Sequence, residues 1–147
     1  KSYSLMNEPF LHIDGDVFIF EPFDKNLMRS NIITQNIETT SDYYWDMWSK
    51  IKTQLNFIPE IMNNYNNQFH NKAFNMGIFG GNNISFIKSY TDASFNFVNK
   101  NKNSLSNINA YNFNIFFEQV LLYELSQEHQ INVNCLINED IGDNEYK

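Results

Sequence analysis

The apolar positions of the chain fall into runs of two different periods. "EPFLHID" up to Asp14, "VFIF" at 17–20, "NIITQNIE" at 31–38 and "KAFNMGIFGG" at 72–81 are short, rich in Ile, Phe or Val, and bounded by Gly, Pro, Asn or Asp, so each predicts a strand. "INVNCLI", 131–137, predicts another, with Ile131, Val133, Cys135 and Ile137 alternating with different neighbours. In "TTSDYYWDMWSKIKTQL" the period changes: Tyr44, Trp48, Ile51 and Leu55 share one helical face, behind a cap at Ser41 or Asp42. Pro59 opens a short helix over 60–69. Asn82 or Asn83 caps a helix running to about residue 100, with Ile84, Ile87, Thr91, Ser94 or Phe95, and Val98 on one side. The strongest helix is 109–129, striped by Phe113, Phe117, Val120, Leu121 and Leu125. Strand, short strand, strand, helices, strand, two helices and strand make an α/β chain, read as one mixed sheet flanked by helices, without internal repeat or domain boundary.

Composition narrows the class of function. At 147 residues the chain is the size of one domain, and 42% hydrophobic with 14 Phe it is far from a disordered composition. The Asn-rich stretches "NNYNNQ", 63–68, and "NKNKNSLSN", 99–107, predict surface loops and helix ends. A net charge of −7, with only ten scattered Lys and Arg, excludes a phosphate-backbone surface, so no nucleic-acid partner is expected. Cys135 is the sole cysteine, which excludes an internal disulfide or a multi-cysteine zinc site and predicts a buried strand residue. With no leader and no apolar run of about 20 residues, no transmembrane segment and a cytoplasmic protein are expected. The start at Lys1, directly before a strand, reads as that of a fragment.

Three short elements carry candidate chemistry. Asp14 and Asp16 flank Gly15 at the end of an apolar strand, where two carboxylates two residues apart can offer hard oxygens to one divalent cation. A tight Asp-Gly hairpin between two strands explains the same residues. His12 points to the same side of the strand as Asp14. "NMGIFGG", 75–81, places paired glycines between a strand and a capped helix, so that a flat ligand can lie against backbone; it is neither a P-loop nor G-x-G-x-x-G. In "FNIFFEQVLL", 113–122, Glu118 and Gln119 interrupt an apolar stretch, either as the polar side of a helix or as a carboxylate whose pKa its aromatic neighbours raise.

Taken in order, "FLHIDGDVFIFEPF", "NMGIFGGN" and "FFEQ" resemble the GT-A class of nucleotide-sugar glycosyltransferases, most closely an uncharacterised bacterial branch of it, over roughly residues 9–125. The resemblance implies a partial GT-A-like, Rossmann-like fold. It also implies that Asp14 and Asp16 are a D-x-D pair holding Mn2+ or Mg2+ on the donor diphosphate. Met76 to Gly81 then match a G-x-F-G-G wall for sugar or acceptor, giving Gly77, Gly80 and Gly81 as substrate-binding positions with Asn75 and Asn82 as hydroxyl contacts. Glu118 matches the acidic residue that meets sugar or acceptor as base, nucleophile or hydrogen-bond partner, with Gln119 beside it. The implied partners are a nucleotide-sugar donor and an acceptor of unknown identity.

The pattern departs from that class in two places. Only thirteen residues precede Asp14, whereas the class holds base and ribose on an N-terminal β/α half, so the chain reads as the C-terminal portion of such a domain. A C-terminal His as third metal ligand has no clear counterpart; His129, Asp140 and Asp143 are the nearest residues on offer. Two other readings accompany it. A haloacid-dehalogenase-type phosphatase is imitated by "HIDGDVF" and "IGDNEY", although Val17 stands where that class continues with Gly-Thr. The other is a non-catalytic interaction domain that kept the fold.

Overall fold

A computed structural model describes residues 1–39, 41–66 and 72–137. Among the described residues four strands form one mixed sheet: β1 (Phe10–Ile13), β2 (Ile32–Glu38), β3 (Ala73–Gly81) and β4 (Val133–Cys135), in the spatial order β1-β3-β2-β4. β3 runs antiparallel to both β1 and β2, and β4 lies parallel to β2. The chain is therefore α/β with a mixed sheet, and β3, the longest strand, has a strand on either side.

The helices are α1 (Ser41–Ile51), α2 (Ile84–Lys100) and a long continuous helix made of α3 (Ala110–Ile115), one π turn (Phe116–Val120) and α4 (Leu121–Glu128). Glu60–Asn66 is a 3-10 helix entered by Met62 N–H donating to the Pro59 carbonyl at 2.9 Å; the end of the expected 60–69 helix lies outside the described residues. Asn83 caps α2 by accepting from Phe86 N–H, and Asn109 caps α3 through Tyr111 and Asn112 N–H. These side chains satisfy amide donors that a first helical turn leaves without partners.

Two apolar clusters hold the layers together. In one, Trp48 of α1 sits 4.9 Å from Phe116 and 5.9 Å from Tyr65, ring to ring, joining α1, the 60–66 turn and the long helix. In the other, Phe74, Met76 and Phe79 of β3 meet Phe86, Ile87 and Tyr90 of α2 and Leu122 of α4. Among the described residues no helix is long and apolar enough to cross a membrane.

Several expectations are corrected here. "VFIF" is not a strand: Val17–Phe20 leave the sheet, and Phe18 and Phe20 are 79% and 92% exposed. Val17 N–H bonds back to the Asp14 carbonyl at 3.1 Å, closing a turn, while β1 pairs with the distant β3, so no hairpin forms at Asp-Gly. α1 already includes Ser41 and Asp42, which therefore do not precede it as caps. Of the expected α2 stripe, Ile87 and Thr91 are buried and Ile84 and Val98 pack against the core, with Phe86, Tyr90 and Phe97 widening the buried face; of Ser94 and Phe95, Phe95 is the exposed one. Cys135 is half-buried, 3.4 Å from Thr34 Oγ1.

Candidate functional site

β1 delivers the first two carboxylates. Asp14 N–H still donates to the Gly77 carbonyl at 2.8 Å, and the chain then turns away through Gly15 and Asp16, leaving both side chains in solvent at the strand's end. A Cβ on Gly15 would meet only open space, so no close approach requires glycine at this turn. His12 Nε2 lies 2.9 Å from Asp14 Oδ1, as the alternation of a strand requires of residues two apart.

Beside this turn the sheet is irregular. Thr34 pairs with Phe79 and Asn36 with Asn75, so Gln35 alone stands opposite Met76, Gly77 and Ile78. The amide freed at Gly77 donates to Asn75 Oδ1 at 2.9 Å, and Asn75 Nδ2 donates to Glu38 Oε1 at 3.0 Å. Irregularities of this kind re-aim side chains and recur beside active sites. A Cβ on Gly77 would crowd Gln35, Asn75 and Val17, so only glycine leaves this part of the strand open.

The third carboxylate comes from the π turn. Widening one turn of the long helix weakens its own hydrogen bonds, and α2 compensates: Ser94 Oγ donates to the Phe117 carbonyl at 2.8 Å and Tyr90 Oη to the Glu118 carbonyl at 3.2 Å. Glu118 is half-buried, and Asn114 Nδ2, one turn earlier, donates to its Oε2 at 3.1 Å. Burial raises its pKa and the negative charge of Asp14 adds to the rise, while the Asn114 bond works against it. Tyr3, from the turn Ser2–Leu5, packs against Phe10, His12 and Phe79; burial first, then Asp14 and Glu118, push its phenol up to about 12.

These groups converge on one cleft of about 680 Å³. Asp14, Asp16, Asn75, Gly77, Glu118 and Gln119 all line it, together with Tyr3, Gln35, Asn114 and the loop Val17–Phe20. Gly80, Gly81 and Asn82 are not among its lining residues. They lie up to five positions beyond Gly77 on an extended strand and its exit, roughly 10–15 Å away. Gly80 is glycine because a Cβ would strike the Phe10 backbone, and Gly81 because its φ is +133° against Asn31. Asn82 Nδ2 ties the strand's exit to the carbonyls of Met28 and Ser30.

A cavity of similar size, about 710 Å³, lies beside β4 and α4 near Asn26, Phe74 and Gln127, and among the described residues no carboxylate lines it. His129 follows α4 at the surface, its ring against Phe86 and outside the cleft's lining; Asp140, Asp143 and "IGDNEY" lie outside the described residues. Asn114 had a signal in the sequence, since four residues separate it from Glu118 on a helix. Tyr3, Gln35 and the π turn had none.

The family profile of DUF6734, a family of unknown function, matches residues 1–147. The chain belongs to that family. No curated protein and no solved structure matches it. The cleft's chemistry therefore has to be argued from its own residues.

Proposed function

We propose that the chain carries the diphosphate-facing and acceptor-facing side of a GT-A-like glycosyltransferase, which transfers a sugar from a nucleoside-diphosphate donor. The observation that carries this reading is the convergence of the Asp14 and Asp16 pair with Glu118, distant from both in sequence, on one cleft, with the charge of Asp14 acting on Glu118.

The donor set is suited to a hard cation that arrives with phosphate. Among the described residues no group of three or more His, Cys, Asp or Glu is arranged to hold a metal. Asp14 and Asp16 offer two exposed carboxylates, and Mg2+ is commonly held by one or two carboxylates with the rest of its shell from phosphate oxygens and water. Such an ion, when bound, offsets the charge growing on the leaving diphosphate.

The protein's own groups do the rest. Glu118, kept basic by burial and oriented by Asn114, takes the proton of the acceptor hydroxyl. The acceptor oxygen bonds to the anomeric carbon as the bond from that carbon to the diphosphate oxygen breaks, its electron pair leaving with the diphosphate. Gln119 offers an amide to sugar hydroxyls, and Gly77 keeps the strand open against the sugar.

Calorimetry on the full encoded protein with manganese and a panel of nucleotide sugars tests this. Metal-dependent binding that disappears in Asp14→Asn and Asp16→Asn is expected; binding without metal dependence, or variants that behave as wild type, would overturn it. Hydrolysis of a simple phosphomonoester lost in Asp14→Asn would point to the phosphatase instead. Metal-independent capture of a protein would point to an interaction domain.

A further inference from the structure

Glu118 and Tyr3 line two cavities, the carboxylate cleft and a smaller one of about 220 Å³ between the long helix and α2. Lys1, Thr91, Ser94 and Glu118 border the smaller cavity, but most of the surface it exposes is apolar, with Tyr90, Phe95, Val98 and Phe117 among its walls. Of the hydroxyls along it, Ser94 donates to the Phe117 carbonyl and Thr91 to that of Ile87 at 2.7 Å, while the Tyr90 proton is shared between the Glu118 carbonyl and Met76 Sδ. A ligand with many hydroxyls would find few partners there, and each polar group left unpaired costs about 1–3 kcal/mol.

We infer that this cavity receives the apolar end of the acceptor, an aryl-bearing alcohol whose hydroxyl lies at Glu118. The inference rests on the reading of Glu118 as the acceptor's base and adds the acceptor's chemical class. Size supports one ring, since an apolar cavity of about 150 Å³ admits benzene and this one is about 220 Å³. Aromatic walls favour an aryl group over an alkyl one through edge-to-face contacts. Two substrates then meet at one carboxylate, the donor from the polar side and the acceptor from the apolar side.

Benzyl alcohol is the probe, titrated into the full chain while backbone amide NMR signals are followed. Saturable shifts at Ser94, Val98 and Phe117 are expected, with none from glucose at equal concentration. Val98→Trp, which fills the cavity, weakens binding at least about tenfold; if it does not fold, Phe95→Ala, at an exposed wall, carries the test with a several-fold loss. No saturable shift in the wild type, equal shifts from glucose, or undiminished binding in the folded variants overturns the aryl pocket. Metal-dependent nucleotide-sugar binding at Asp14 and Asp16 is measured separately, so either reading can fail while the other stands. With both in place, benzyl alcohol raises nucleoside diphosphate release from the donor, and unchanged release overturns its role as acceptor mimic.

Discussion

The Tyr90 hydroxyl donates to the backbone carbonyl of Glu118 at 3.2 Å, so a side chain of α2 adds a bond to the turn that presents the cleft's half-buried carboxylate. Ser94 does the same one residue earlier, at Phe117. The π turn is thus braced from outside its own helix as well as by its own backbone bonds, such as Leu121 N–H to the Glu118 carbonyl.

Removing either hydroxyl takes from a carbonyl of the π turn the donor that α2 supplies, while the rest of the core, and the Leu121 N–H bond to the Glu118 carbonyl, is kept. Tyr90→Phe and Ser94→Ala are each expected to cost about 1–2 kcal/mol in urea unfolding. The pair together should depart from additivity, because both bonds serve one turn. Additive losses would mean that the turn is held by its own helix.

Glu124 predicts a pH dependence. It is 8% exposed, and burial pushes its carboxyl from 4.5 to about 7. The folded state therefore holds a proton that the unfolded state releases, so the contribution is full below the unfolded value and is lost as pH rises through the folded one. Stability should fall between about pH 4.5 and 7, by on the order of 3 kcal/mol at most. Glu124→Gln removes the fall: urea midpoints of the variant exceed wild type at pH 8 and match it near pH 4. A variant weaker at pH 8 would refute the assignment.

The glycines of β3 separate by role. Gly80→Ala drives a Cβ into the Phe10 carbonyl and the Leu11 backbone, neither of which can swing aside, and is expected to cost about 3 kcal/mol. Gly77→Ala meets mainly the mobile end of Gln35, so its thermal midpoint should shift less while ligand binding in the cleft weakens. A Gly80→Ala protein as stable as wild type would contradict the sheet register.

Asn101 is fully buried, with its Oδ1 accepting from Asn56 and Phe57 N–H and its Nδ2 donating to the Phe57 and Phe97 carbonyls. Asn101→Asp keeps the acceptor and loses both donors, so a loss of about 3 kcal/mol or more is expected in thermal unfolding. Asn101→Ala should cost a similar amount. A change below about 0.5 kcal/mol, the size of a surface effect, would show that the network is dispensable.

Asn101 also marks how far the sequence could be read. Its Asn-rich surroundings predict a helix end, and it does follow α2. Nothing local distinguishes it from Asn99 or Asn103, because its four partners come from 97 and from 56–57. The same limit applies to the site. Asp14, Asp16 and Glu118 stand out as carboxylates among apolar neighbours, whereas Tyr3 gains its place only by packing against Phe10, His12 and Phe79.

Periodicity by itself determined the order of the main strands and helices, because alternation and helical spacing are properties of neighbouring residues. It also determined that His12 and Asp14 share a side. Tertiary structure alone decided that Val17–Phe20 leave the sheet, since β1 takes its partner from the distant β3 and, among the described residues, no strand pairs with the loop. It alone decided that Gly77 faces the cleft while Gly80 and Gly81 pack against backbone, because those outcomes depend on which strands lie alongside β3. And it put Glu118 across a cleft from Asp14: the long helix carries the carboxylate, but only its packing against α2 and the sheet brings the two within reach of one ligand.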